Sequence, residues 1–262
     1  MELSETTCIV IPTYNNEETI KSVVESVLPY SQNVIVVNDG STDSTTDILA
    51  QLQDKITLVS YAQNRGKGFA LKTAFTEAKK HNYTYAITLD ADGQHKATDL
   101  PLFAEAIAKH NDAFIIGSRQ FDLPNMPAKN SFANKFSNFW FCLQTAHNLP
   151  DTQTGFRAYP LKKLNYKGPI NNRYEAELEI LVRSAWKNIP LIPIPIDVYY
   201  PPKEERVSHY RPTWDGVRIS LLNTLLCLLA IVYGYPSMGI RKLIAKITNK
   251  KRDAEHDVSA CS

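Results

Sequence analysis

Asp90 and Asp92 stand one residue apart, at the end of the apolar run 85–89 and directly before Gly93. Two carboxylates so spaced at a turn can both face one divalent cation. Hard oxygen donors suit Mg²⁺ or Mn²⁺, with Gln94 or His95 as further candidates and diphosphate oxygens able to complete the shell. The same tripeptide also serves as an Asx-rich turn that merely caps a helix, so the pair alone leaves both readings open. Asn38-Asp39-Gly40-Ser41 also follows an apolar run and precedes a helical pattern. An acid in that position can accept hydrogen bonds from a ribose or a base. Asn64-Arg65-Gly66-Lys67-Gly68 is a third loop before a helix, whose amides and basic side chains can approach phosphate.

The elements that would position these groups alternate along the first half of the chain. Residues 8–12, 33–38, 56–60, 85–89 and 113–116 read as strands, being short and continuously apolar. Between them, 17–28, a stretch capped by Ser41 or Thr42 and running to about residue 52, 68–81 and 100–109 read as helices. Strand–helix alternation with apolar strands predicts a mostly parallel sheet covered by helices on both faces. Ligands of such sheets bind beyond the carboxyl ends of the strands. Thr13-Tyr14-Asn15, Asn38–Ser41 and Asp90–Gln94 all follow strand ends, and they should therefore converge on one edge. The second half is less regular. Residues 130–146 and 175–187 read as helices, 191–200 as a strand and 124–127 as a loop.

At this point the motifs resemble those of family 2 glycosyltransferases, and within them the dolichyl- or polyprenyl-phosphate sugar synthases. The resemblance is carried by Ile11-Pro12-Thr13-Tyr14-Asn15 with Glu17, Val37-Asn-Asp-Gly-Ser-Thr-Asp43, Asn64-Arg-Gly-Lys-Gly68 and Leu89-Asp-Ala-Asp-Gly-Gln-His95. Further on come Gly117-Ser-Arg119, Asp151-Thr-Gln-Thr-Gly-Phe-Arg157 and Arg173-Tyr-Glu-Ala-Glu177. It implies a Rossmann-like GT-A fold and transfer of a sugar, with inversion, from a GDP- or UDP-sugar. It further implies that Pro12, Tyr14, Asn15, Glu17, Asp39, Lys67, Asp90, Ala91, Asp92 and Arg119 surround the donor. Asp90, Asp92 and Gln94 would hold the metal, Arg119 would face the phosphates, and Asp151, Gln153, Thr154 and Gly155 would lie near sugar and acceptor. Lys129 stands where the synthases usually carry a second arginine. It supplies charge without arginine's bidentate fork.

The acceptor decides whether a base is needed. A hydroxyl must lose a proton to a group within hydrogen-bond reach, and Glu177 or Glu175 would be that group. A phosphate monoester, with a second pKa of about 6, is already largely dianionic at neutral pH. The simplest reading is therefore a polyprenyl phosphate acceptor, catalysed through Asp92 and Arg119, with a glycan or glycolipid hydroxyl and Glu177 as the alternative. Arg206 and Ser208, in the charged stretch after Pro201-Pro202, can close over a phosphate. A sugar nucleotidyltransferase should show a Gly-rich loop and arginine where Pro12-Thr-Tyr-Asn-Asn16 stands. A non-catalytic nucleotide-binding protein would not need Asp39, Asp90, Asp92 and Arg119 together.

The bulk numbers narrow the partners. The chain has 262 residues with a net charge of +2, which gives no support for nucleic-acid binding. Its four cysteines form no CxxC pair, which fits a reducing compartment. The acidic N-terminus does not read as a signal peptide. Residues 219–235 are apolar but short of the roughly 20 residues of a span, and Arg241, Lys242, Lys246 and Lys250-Lys251-Arg252 follow. An in-plane helix with its basic tail at anionic headgroups satisfies both features. We therefore expect a catalytic domain over 1–212, a membrane-associating helical appendage over 213–252 and a disordered tail over 253–262. The enzyme would sit on the cytoplasmic face, bound peripherally to the membrane surface.

Overall fold

The computed structural model describes residues 3–119, 128–164, 171–199 and 212–260. The strands are β1 (Thr7–Thr13), β2 (Val34–Asn38), β3 (Thr57–Ser60), β4 (Tyr85–Thr88), β5 (Phe114–Arg119), β6 (Arg157–Pro160) and β7 (Leu191–Ile196). The helices are α1 (Ile20–Val27), α2 (Thr45–Ala50), α3 (Lys67–Lys80), α4 (Leu100–Lys109), α5 (Ala128–Thr145), α6 (Glu175–Trp186), α7 (Pro212–Leu229) and α8 (Tyr235–Ala260). One seven-stranded sheet carries them, in the order β3-β2-β1-β4-β6-β5-β7.

Alternate residues of each strand serve opposite faces. Ile9, Ile11, Val34, Val36 and Ile87 face a core shared with α1 and α4. Cys8, Val10, Ile35, Val37 and Ala86 face a second core, built with Ala70, Leu71, Ala74 and Ala78 of α3 and with α6. Both faces are buried, which is why the strands read as unbroken apolar runs.

Among the seven strands all pairings are parallel except those of β6, which runs antiparallel to β4 and β5. The sequence did not reveal this strand, since Arg157-Ala-Tyr-Pro160 is short and flanked by polar and turn-forming residues. Its direction matters: Thr88 pairs with Arg157, so the start of β6 lies at the edge where β4 ends. The loop leading into β6 is thereby delivered to the carboxyl edge of the sheet.

Several expected boundaries shift. The first helix begins at Ile20 rather than 17, because residues 17–19 form a turn. The second begins at Thr45, whose amide is accepted by Asp43 Oδ1 at 3.0 Å, so neither Ser41 nor Thr42 caps it. β7 stops at Ile196. The largest difference is at the C-terminus. The helix does not end before Pro236; a π-helical turn at Ala230–Gly234 joins α7 to α8. A wider turn takes up proline's missing N–H and its clash with the preceding carbonyl. The helix runs on to Ala260, past Lys250-Lys251-Arg252 and into residues 253–260, which we expected to form a disordered tail.

Candidate active site

Asp90 follows β4 and meets three neighbours. Lys67 Nζ, at the first residue of α3, lies 2.7 Å from Asp90 Oδ1. The same ammonium lies 3.0 Å from Glu177 Oε2 on α6. His95 Nε2 is 4.0 Å from Asp90 Oδ2. Gly155 is pressed against the carboxylate itself: a Cβ built there would lie 2.9 Å from Asp90 Cγ and collide with Oδ2. A side chain at this position would have to displace the carboxylate.

The electrostatics set the two aspartates apart. Burial works to raise Asp90, but Lys67 and His95 more than offset it and hold its carboxyl below the usual range. Burial and the Asp90 charge together push Asp92 up to about 6. Lys67 is buried too, yet its two carboxylate partners outweigh that cost and hold it firmly charged. Burial pushes His95 down to about 4, so its ring is neutral at pH 7. Its Nδ1 is buried without a hydrogen-bond partner.

This donor set fits a hard divalent cation. Asp92 shares its corner with the Asp90 carboxylate, a repulsion that a bound metal would relieve. Among the described residues no group of three His, Cys, Asp or Glu is gathered. A metal here would therefore take several ligands from phosphate or water. Gln94 donates its backbone N–H to Asp92 Oδ1 at 3.0 Å, and its carbonyl accepts from Tyr199 at 2.9 Å. Ala91 is buried, its carbonyl bound by Thr19 Oγ1 at 2.6 Å.

The loop carrying Lys67 is gripped from both sides. Asp39, buried at the end of β2, accepts the amides of Arg65 and Gly66, each at 2.8 Å. On the other side Asn172 O accepts the Phe69 amide at 3.1 Å. Gly66 has φ +95°, and a Cβ on it or on Gly68 would strike Asn172 or Ala176. Asn172 is steadied in turn by its neighbour Asn171, whose amide and side chain donate to the buried Glu179 at 3.1 and 2.8 Å. Asp39 thus fixes the lysine loop.

The Pro12–Glu17 loop interlocks with residues 41–45. Asn15 donates its amide to Ser41 Oγ at 3.0 Å and accepts the Thr42 amide at 2.8 Å. Glu17 accepts the Ser44 amide at 2.9 Å, and its own amide donates to Asp43 at 3.1 Å. Asp39 N donates to Thr13 O at 2.8 Å. Pro12 and Tyr14 remain half-buried beside this seam. The three strand-end clusters do converge, and much of their polarity is spent on fastening one loop to the next.

Arg119 ends β5 and forks onto Asp151, with Nε 2.6 Å and a terminal nitrogen 3.0 Å from the two carboxylate oxygens. Asp151 is fully buried. Arg157 is the group we had not assigned. It is buried, and its guanidinium donates to the carbonyls of Thr154, Glu177 and Thr152 at 2.7, 2.9 and 2.9 Å. One side chain thus ties the loop under Asp90 to the α6 turn that carries Glu177. Of the expected acceptor residues, Thr154 is buried and Gly155 abuts Asp90, while Gln153 is exposed and donates to Ala133 O at 3.3 Å. Lys129 lies in α5 with its side chain outside the described residues, as are Arg206 and Ser208.

The C-terminal helix is half core and half surface. Leu222, Leu226, Ala230 and Met238 join the core behind α6. Leu221, Leu225, Leu228, Val232, Leu243 and Ile247 are more than half exposed or nearly so. Phe136 and Phe139 of α5 are exposed as well. Gly216–Thr248 is long and apolar enough to cross a membrane by length and composition, with 22% of its most apolar window buried.

The model of the family described as Glycosyl transferase family 2 matches residues 8–164. The UDP-N-acetylglucosamine–dolichyl-phosphate N-acetylglucosaminyltransferase of Methanococcus voltae is 28% identical over 213 residues, covering 73% of this chain and 85% of its own. The polyprenol monophosphomannose synthase of Mycolicibacterium smegmatis is 25% identical, covering 74% and 77%. Among solved structures, glucosyl-3-phosphoglycerate synthase from Mycobacterium tuberculosis, in complex with Mn²⁺, UDP and glucosyl-3-phosphoglycerate, superposes with a TM-score of 0.57 at 17% identity. The match covers 86% of this chain and 79% of that one, and it establishes the GT-A-like fold.

Proposed function

Because the chain belongs to the family 2 glycosyltransferases, we propose that it moves a sugar, with inversion, from a GDP- or UDP-sugar to polyprenyl phosphate at the cytoplasmic surface of a membrane. The names of the relatives, one using a dolichyl phosphate and one making a polyprenol monophosphomannose, support the acceptor class. The observation that carries the reading is the state of Glu177. One of its oxygens is held by the Lys67 ammonium at 3.0 Å, and the other is buried. Neither is open to an incoming hydroxyl, whereas a phosphate acceptor brings its own negative oxygen and needs no base.

The residues divide the work as follows. Asp90 and Asp92, with Gln94 as a further candidate, would hold a Mg²⁺ or Mn²⁺ ion, whose charge would favour departure of the nucleoside diphosphate. Lys67, braced between Asp90 and Glu177, adds a fixed positive charge beside them. Pro12, Tyr14, Asn15, Glu17 and Asp39 form the wall against which the nucleoside lies. Arg119, oriented by Asp151, supplies a second fixed cation on the phosphate side. Lys129, Gln153, Thr154, Arg206 and Ser208 are assigned to the acceptor, and the exposed face of α5, α7 and α8 to the lipid surface.

A transfer assay tests this. The protein with Mn²⁺ and a panel of GDP- and UDP-sugars should glycosylate polyprenyl phosphate and leave polyprenol untouched, and Asp92→Ala should abolish the transfer. Glycosylation of polyprenol alone would favour the hydroxyl reading with Glu177 as base. Failure of every nucleotide-sugar to stabilise the protein in a thermal-shift screen would remove the central claim.

A further inference from the structure

A second cleft lies away from the sheet edge that carries Asp90. A groove of about 720 Å³ runs between the start of β7 and α8, and its polar lining is His147, Lys187, Asn188, Arg241 and Lys242. β7 pairs in parallel with β5 from Leu191 to Ile196, so this groove lies at the edge opposite Arg119. No acidic residue is among its described lining residues.

The cleft is built rather than incidental. Asn188 Nδ2 donates to Met238 O at 3.2 Å, and Ser237 Oγ donates to Trp186 O at 3.3 Å. Gly234 lies flat on the Trp186 indole, where a Cβ would come within 2.5 Å of Nε1. These contacts fix α8 against the end of α6 and so fix the spacing of Lys187 from Arg241 and Lys242. Burial and the nearby Arg241, Arg183 and Lys79 charges depress the Lys187 ammonium. Beside the cations α8 exposes Ile240, Leu243, Ile244 and Ile247, each more than half exposed.

We propose that this cleft binds the headgroup of an anionic phospholipid, with the phosphodiester between Lys187, Arg241 and Lys242 and the acyl chains along the α8 isoleucines and Leu243. Arginine suits the phosphate, since its planar fork reads two oxygens at once. A free phosphate satisfies the cations and leaves the apolar stripe unexplained; a lipid satisfies both. The proposal rests on the membrane-surface reading above, and it assigns to the distal end of the molecule a lipid site separate from the acceptor.

Vesicle flotation of the full chain tests it, using phosphatidylcholine with and without phosphatidylglycerol. Arg241→Gln is compared with Lys246→Gln, an equal loss of charge one turn further along the same helix and outside the cleft lining. Both side chains are exposed, so both variants should fold, which circular dichroism checks. A basic residue merely near an anionic surface contributes about fivefold to binding. We expect that loss for Lys246→Gln and a loss of about 20-fold or more for Arg241→Gln, because it grips phosphate directly. Lys242→Gln should also exceed the Lys246→Gln loss. Equal losses in all three would overturn the cleft and leave diffuse surface charge. In a thermal-shift arm, soluble short-chain phosphatidylglycerol should stabilise the wild type saturably and inorganic phosphate should not. An equal shift with phosphate would replace the lipid by a soluble anion. If the wild type floats with neither vesicle, the membrane reading fails along with the proposal, a result distinct from floating with equal variants.

Discussion

Gly155→Ala tests the site at its tightest point. The new methyl carbon would lie 2.9 Å from Asp90 Cγ and nearer still to Oδ2, where ordinary contact begins at 3.4 Å. Neither side yields easily. Thr88 Oγ1 holds Gly155 O at 2.6 Å, and Leu89, next to Asp90, is tied to Val10 O at 3.0 Å. The clash must therefore be relieved by swinging the Asp90 carboxylate about 1 Å from its place. A misplacement of that size costs about 10²-fold in rate when it strikes a positioning group. Overpacking of this kind costs about 1–3 kcal/mol of stability, which leaves the fold standing. We expect kcat/KM to fall about 100-fold, and Mn²⁺-dependent binding of the nucleotide, followed by calorimetry, to weaken with it. Gly216→Ala is the control: nothing lies within 4 Å of a Cβ there, so helix propensity favours the change by up to about 1 kcal/mol. If Gly155→Ala folds, binds metal and donor like the wild type and keeps its rate within threefold or so, Asp90 is not the metal ligand we assign.

Other outcomes follow from the same geometry. Asp92, raised to about 6, takes up a proton in the metal-free protein well above the pH at which it does so unfolded. Folding is therefore favoured by this group at acid pH, and the benefit is lost as pH rises from about 4 through about 6. Asp92→Asn should accordingly stabilise the metal-free protein at pH 8 by about 1–3 kcal/mol in denaturant melts while abolishing transfer. Mn²⁺ binding must expel that proton, so affinity should fall with pH below about 6 and level off above it. Glu177→Gln should cost no more than about tenfold, through a looser Lys67; a loss of about 10³-fold or greater would make it the general base and point to a hydroxyl acceptor. Arg119→Lys leaves the buried Asp151 without its bidentate partner, and should cost about 2–4 kcal/mol of stability as well as activity.

The sheet was legible because its strands are buried on both faces and so read as apolar runs. The site's edge was legible because polar clusters follow three of those runs. Other features left no local trace. Asp39 binds the amides of residues 26 and 27 positions away, and Asn15 and Glu17 bind amides 27 positions away. A side chain that accepts a distant backbone N–H looks, in sequence, the same as one that awaits a ligand. β6 escaped because a four-residue strand shows no period, and with it went the antiparallel turn that brings Gly155 to Asp90. Pro236 was a fair stop signal that a π-helical turn overrides.

The same contacts bear on how a lipid and a nucleotide-sugar could be brought to one place. α5 carries exposed Phe136 and Phe139 on one side, and on the other it holds the Asp151 loop through Asn134 and Asn138, each donating to Pro150 O at 2.9 and 2.8 Å. Asp151 holds Arg119, and Arg157 binds the same loop to the Glu177 turn. Behind them Leu222 and Leu226 of α7 are core residues, so the long helix cannot lift away without opening the core. Among the described residues, α7 thus shares one core with α6 and the sheet. On the proposed reading, whatever the exposed face rests on fixes the height of Arg119 and Asp90 above it. The C-terminal helix then acts less as a tether than as one wall of the catalytic domain, set at the membrane.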